Sequence, residues 1–441
     1  MSTFQITDQQ LEQVVRHCYQ YVAMYNTINN FAMQEANPFS THGWNKMYIP
    51  SGLMNASVKA LPTPNNDTLY LISCVDLRDD AVVIEFPAFD SNFVSLETSA
   101  YDHYVNIPLS TTKGDFKDRT TMLFYTEHTK GYHGEPVEGV DQTLKMSGNF
   151  AIVFLRVAPM AVDPDRMKNN LDAMQTQKLM TLSEYQGKPK LPTSPVEFPT
   201  FGLDQTVFKN NFLEVIQFVF NQATFDANDA MDQAVLEIMK PLGIEPGKAF
   251  DPQAVAQLDG EQVARVAKGV YEDSVKVWND PNGNPYLTQC FQPKGQMTLE
   301  PMVLQSCMGP VGQPYDQAQY PGVGTADGQP IRSTEHYVIR MTKDQLPPAH
   351  AFWSITMYDA TNIFFIPNAN NKYSVGENGG MKLDENGGIE IHIAPTQPEG
   401  VPAENWLPSG EVDQNLVLFM RVYAPDVEAM KTYKAPKVEK V

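Results

Sequence analysis

The chain has 441 residues, 42% of them apolar, with 32 basic and 52 acidic side chains and a formal charge of −20 at pH 7. That length exceeds what one compact core serves, so two or three domains are expected. The acidic balance argues against a nucleic-acid partner, because phosphate backbones are bound by Lys and Arg that displace counterions. No window approaches the ~18 uninterrupted apolar residues of a membrane helix, so no membrane span is expected. The opening MSTFQITDQQ has neither a basic region nor an apolar stretch. It reads as lacking a signal peptide, which places the chain in the cytoplasm; an exported location follows if a leader preceded it.

Thr7 and Gln10 form a capping-box pattern, and Leu11, Val14, Val15, Cys18, Tyr19, Val22 and Tyr25 then recur at helical spacing. An N-terminal helix to about Asn30 is therefore expected within a first unit over 1–36. Pro, Gly, Asn and Ser crowd Pro38–Pro64, which reads as loop. The period changes to two in a β-domain expected over 37–160, with strands at Leu69–Val75, Ala81–Phe86, Phe93–Val105, Thr121–Thr126 and Phe150–Val157. Strands this close, with no helices between them, imply antiparallel sheets. A helical insertion over 161–278 follows. It holds one helix from Asp165 to Met180, capped by Asp163 with Pro164 at its first position, then Asp204–Ala223, Asp229–Met239 and Gly260–Trp278. Residues 279–330 are rich in Gly, Pro, Gln and Asn without periodicity and read as an irregular arm or lid. A C-terminal β-domain over 331–441 has strands at His336–Met341, Ala351–Tyr358, Ile363–Ile366, Ile389–Ala394 and Asn415–Tyr423.

No G-x-S-x-G, H-E-x-x-H, Walker or G-x-G-x-x-G motif appears, and nothing in the pattern requires a cofactor. Cys18, Cys74, Cys290 and Cys307 lack CxxC or Cys/His spacing and read as buried thiols rather than disulfides, zinc ligands or nucleophiles. The histidines form no grouping with Asp or Glu at metal-ligand spacing.

Three constellations remain as candidate ligand-binding residues. In PTPNNDTLY, Asn65, Asn66 and Asp67 precede a strand, where Asx side chains commonly bond backbone groups two residues on; a ligand contact is the alternative. Tyr70 alternates to the face of Ile72 and Cys74, and its hydroxyl needs a partner if buried. In the strand from Phe93 to Val105, period two puts Glu97, Ser99, Tyr101 and His103 on one face, directed to solvent or to a cavity. Tyr101 and His103 then lie ~7 Å apart, close enough to share a small ligand.

The third constellation is a strand pair. In FWSITMYD, Trp353, Ile355 and Met357 line one face and Phe352, Ser354, Thr356 and Tyr358 the other. In NLVLFMRVYAP, Leu416, Leu418, Met420 and Val422 oppose Val417, Phe419, Arg421 and Tyr423. Apolar residues on both faces mean central strands covered on both sides. Arg421 is then a buried cation, serving either an ion pair or carbonyl clamp that fixes the domain, or an anion site lined by Tyr358 and Tyr423.

These residues also carry a resemblance. NNDTLY, the VDL at Val75–Leu77, VVIEFP and DAMQTQKLMTLSEY resemble the domain of unknown function numbered 1254. AFWSITMYD, NKYSVGE, NWLP and RVYAP resemble its usual partner, the domain numbered 1214, and PLGIEPGKAFD resembles the connector between them. The resemblance implies a mainly β fold with a helical insertion, as two tandem antiparallel β-sandwich or jelly-roll-like barrels. It implies no activity. The concentration of Tyr, Trp and Asn at strand ends suits a small polar or carbohydrate-like ligand in an aromatic-lined cleft, with hydrolase or isomerase chemistry as an extension. A rival reading is an assembly protein that forms a homo-oligomer through its β-domains. A third is a metal-dependent enzyme using His103 and Asp67.

Overall fold

The capping box at Thr7 and Gln10 opens helix α1 (Asp8–Met33) in the computed structural model, which describes residues 5–59, 63–116, 118–278 and 284–441. Part of the loop expected before Pro64, and the first residues of the arm expected from Asn279, lie outside those ranges. Strands β1 (Lys46–Tyr48), β2 (Leu69–Asp76), β3 (Val82–Phe86), β4 (Val94–Ala100), β5 (Leu109–Ser110), β6 (Thr120–Tyr125), β7 (Gln142–Lys145) and β8 (Phe150–Val157) follow. Helix α2 (Pro164–Gln175), capped by Asp163 with Pro164 at its start, then leads to β9 (Lys178–Thr181). These strands form two sheets, ordered β1-β2-β8-β4-β5 and β7-β6-β3-β9.

The sheets share one core. Leu69, Leu71 and Val75 of β2, Val153 and Leu155 of β8, and Val94 and Leu96 of β4 meet Val82, Ile84, Met122 and Phe124 of the second sheet. The alternate residues of the first sheet, Tyr70, Ile72, Cys74, Ile152 and Phe154, pack under helices. β2 and β8 are consequently buried at every position, which explains why both read as nearly continuous apolar runs. Each fully buried Leu, Ile, Val or Phe contributes roughly 1.5–3 kcal/mol.

The helical layer is built from α1 together with α4 (Asp204–Asn210), α5 (Phe212–Phe220), α6 (Ala230–Met239), α7 (Gly260–Trp278) and α8 (Leu299–Met308), which follow a short α3 (Leu182–Tyr185). The C-terminal β region holds β10 (Ala318–Gln319), β11 (Gly322–Val323), β12 (Ile331–Arg332), β13 (Tyr337–Met341), β14 (Ala349–Asp359), β15 (Ser374–Gly376), β16 (Ile389–Ala394), β17 (Trp406–Pro408) and β18 (Asn415–Pro425). A short α9 (Val427–Met430) and β19 (Val438–Lys440) end it. β14 and β18 pair along their length, flanked by β15 on one side and by β10, β11 and β12 on the other. A second sheet, β17-β16-β13-β19, covers the Trp353, Ile355 and Met357 face.

Several expectations change. Among the described residues no sheet closes on itself, so neither β region is a barrel; each is a pair of open sheets over a common core. Two edge pairings, β6 with β7 and β16 with β17, are parallel rather than antiparallel. The strand expected from Phe93 to Val105 stops at Ala100, and His103 sits in the left-handed region with φ of 64°. The helix expected to reach Met180 ends at Gln175, because residues 178–181 complete an edge of β3 instead. Asn211, at φ −150°, splits the helix expected over Asp204–Ala223. Within the arm expected over 279–330, α8 is a buried helix. Ile363–Ile366 is not a strand: the Asp359 carboxylate accepts from the backbone N–H groups of Thr361, Asn362 and Phe364 and curls the chain back.

Candidate functional site

The two β regions meet along a buried polar seam. On its C-terminal side, period two puts Ser354, Thr356 and Tyr358 of β14 on one face with Arg421 and Tyr423 of β18, and the register sets Ser354 opposite Arg421. On its N-terminal side lies the segment 63–67 that leads into β2. Asn65 makes the expected Asx turn, its Oδ1 accepting from the Asp67 N–H at 2.5 Å. The turn aims the Asp67 carboxylate across the seam, where Oδ2 accepts from Ser354 Oγ at 2.6 Å and Tyr423 OH at 3.4 Å. Oδ1 accepts from Ser374 Oγ at 3.3 Å. Asn378 donates to the Asp67 carbonyl, and Asn65 Nδ2 donates to Tyr423 OH at 2.8 Å.

Arg421 reaches the same segment. Its Nη2 donates to the Thr63 carbonyl at 3.0 Å and to Tyr358 OH at 2.6 Å, and Tyr358 OH donates to the Pro64 carbonyl at 2.8 Å. The guanidinium lies over the Tyr320 ring, 5.4 Å from its centroid. Burial raises the Asp67 carboxyl above the usual carboxylate range, with Arg421 and the three hydroxyls opposing. Burial also moves the Tyr358 phenol up to about 12.

A second buried arginine adjoins this cluster. Arg156 on β8 contacts Glu97 of β4 through Nη2 at 2.6 Å and Nε at 2.8 Å, and its Nη1 donates to Tyr70 OH at 3.3 Å. Burial pushes Glu97 up to about 7 against the pull of Arg156. Glu97, Ser99, Ile152, Phe154 and residues 310–312 enclose a cavity of about 10 Å³, room for a single water. Tyr320 stands in the field of both arginines.

Of the residues expected at a site, Asp67, Tyr358, Arg421 and Tyr423 come together, and Tyr70 joins them through Arg156. Asn66 turns away and donates to the Met54 carbonyl at 2.6 Å. Tyr101 donates to Asn29 at 2.8 Å beneath the helical layer. His103 is fully buried against α8, its Nε2 on the Pro310 carbonyl at 2.8 Å and its Nδ1 on Ser306 Oγ at 2.7 Å. A carbonyl only accepts, so Nε2 carries the proton and Nδ1 is an acceptor, competing with the Met302 carbonyl at 2.7 Å for the single Ser306 hydroxyl proton. Burial moves this imidazole down to about 4. Tyr101 and His103 share no partner, and His103 and Asp67 share none. The Glu97 face, expected toward solvent or a cavity, is turned away from solvent, and its Glu97 and Ser99 line the small cavity. Among the described residues no group of three or more His, Cys, Asp or Glu side chains is arranged to hold a metal. All four cysteines are free thiols, three of them buried. No described helix is long and apolar enough to cross a membrane.

Sequence reasoning missed the Glu97–Arg156 pair, although Arg156 is the lone charge in FAIVFLRV and carried the same signal as Arg421. It also missed Lys294, whose Nζ lies 2.8 Å from Asp232 Oδ2 and 3.3 Å from Asp102 Oδ2. Those three residues come from segments with no shared pattern.

Two family models fall on the two walls of the seam. The protein of unknown function DUF1254 matches residues 44–181, and the protein of unknown function DUF1214 matches residues 317–427. The chain belongs to the family that pairs these two domains. Asp67, Tyr70, Glu97 and Arg156 are in its DUF1254 part; Tyr320, Tyr358, Arg421 and Tyr423 are in its DUF1214 part. The VPA0106 protein of Vibrio parahaemolyticus, known from a crystal structure, is 23% identical with a TM-score of 0.75, over 98% of this chain and 99% of that one. That likeness shows the fold of the DUF1254–DUF1214 pair. An uncharacterized protein from Burkholderia cenocepacia is similar at 12% identity and a TM-score of 0.45, over 98% of this chain and 93% of that one. No curated protein matches the chain.

Proposed function

We propose that the seam between the DUF1254 and DUF1214 parts binds a small polar ligand. The observation that carries the reading is a pair of orphaned polar atoms. Arg421 Nε and Thr356 Oγ1 are buried without a hydrogen-bond partner among the described residues, in a cluster whose other polar atoms are largely satisfied. Leaving such a group unpaired costs roughly 1–3 kcal/mol, more for a charged one, so a ligand that supplies the partner gains what the protein alone forgoes. Tyr70, Tyr320, Tyr358 and Tyr423 furnish aromatic surface with polar tips, the combination that holds small hydroxylated or carboxylated molecules. Hydrolysis or isomerisation there would draw on Glu97 and Asp67, the two buried carboxyl groups of the seam.

The test is a thermal-shift screen of sugars and polyols, small carboxylates and divalent ions on the wild type and on Arg421→Lys. A saturable rise in Tm with one class, weakened about tenfold or more in the variant, is expected. An unchanged Tm with every class contradicts a binding role.

A further inference from the structure

We infer that the ligand of the seam carries a carboxylate, held by Arg421; this rests on the seam being a binding site. The two buried arginines provide an internal comparison. Arg156 and Arg421 are 6% and 7% exposed, and both stand beside Tyr320. Arg156 has its own carboxylate in direct contact, Glu97 at 2.6 Å. Arg421 forms no direct ion pair with any described residue: its Nη2 is held by a neutral carbonyl and a neutral hydroxyl. Asp67 is the acid in its field, but it lies outside ion-pair contact, its oxygens accepting from the hydroxyls of Ser354, Ser374 and Tyr423 instead. Asp67 therefore acts on Arg421 only through space.

A buried guanidinium is stabilised by a carboxylate in contact, through charge-assisted hydrogen bonds that a neutral alcohol or amide does not supply. A carboxylate oxygen at the open Nε–H accepts that proton, and the Thr356 hydroxyl is free to donate to the same group. One guanidinium without a carboxylate in contact matches one carboxylate, whereas a phosphate dianion brings a second negative charge for which the seam offers no second unpaired cation among the described residues.

Isothermal titration separates the alternatives, using acetate, propionate and benzoate, their amides, inorganic phosphate and glucose. The carboxylates are expected to bind at least ~10-fold more tightly than their amides, the difference between charge-assisted and neutral hydrogen bonds. Arg421→Gln is expected to abolish that preference. Thr356→Val, a near-isosteric change, weakens carboxylate binding and keeps the test open if the arginine variant does not fold. Glucose or amides binding through Arg421 while carboxylates do not would overturn the inference and leave the binding reading standing. Phosphate binding more tightly than any carboxylate, or carboxylates binding both variants as they bind the wild type, would also overturn it. Binding of none of these compounds to the wild type would remove the inference and the site together.

Discussion

The two arginines of the seam differ in what breaking them would do. Among the described residues Glu97 is the sole carboxylate touching Arg156, at 2.6 Å, and both are buried. Removing it leaves an uncompensated charge, which costs about 3–5 kcal/mol. Glu97→Gln is accordingly expected to lower the unfolding free energy in urea by that order, and Glu97→Gln with Arg156→Met to recover most of it. At Arg421 the same logic gives a smaller effect for Asp67→Asn, because the carboxylate is held by hydroxyls rather than by the guanidinium. Urea unfolding of the two single variants compares them. The alternation of FWSITMYD and NLVLFMRVYAP made Arg421, Tyr358 and Tyr423 legible in the sequence, since period two alone puts them on one face. Of the partners of Arg421, Tyr358 shares that face, but the Thr63 carbonyl was not legible: it lies some 360 positions away, and only the fold brings the segments together.

At the scale of elements, what local pattern decides was readable and what tertiary pairing decides was not. α1 with its capping box, α7 and β8 follow from periodicity and caps. β9 does not, because its KLMT segment becomes a strand only by pairing with β3. The start of α4 shows how an element can carry a pH dependence. Asp204, in its first turn, accepts from Asn26 Nδ2 at 2.8 Å, and burial raises its carboxyl to about 6. The native state therefore keeps a proton that the unfolded chain releases near pH 4, so stability falls as pH rises from about 4 to about 6. The fall is on the order of 2 kcal/mol after allowing for partial exposure. Asp204→Asn should flatten it, as followed by urea unfolding at pH steps between 4 and 7.

At the scale of the molecule, the seam couples two regions that could otherwise unfold separately. It joins 63–67 to β14 and β18 by hydrogen bonds, and Phe93 and Ala158 pack on Phe352 and Tyr423 beside it. Calorimetry is expected to show one transition with equal calorimetric and van't Hoff enthalpies, and Asp67→Ala is expected to separate it into two. The family of the chain was legible in short motifs. The choice between sandwich and barrel was not, since closure depends on edge pairing that alternation does not encode.

Carboxylate recognition at the seam turns on a single N–H. In protein labelled with ¹⁵N at arginine, the Nε–H resonance of Arg421, assigned as the signal lost in Arg421→Lys, reports its partner directly. On addition of a small carboxylate that signal is expected to shift downfield, saturate and exchange more slowly with water, while the Arg156 signal stays in place. An Arg421 signal that does not move with carboxylates, polyols or any other ligand class would contradict ligand binding at the seam.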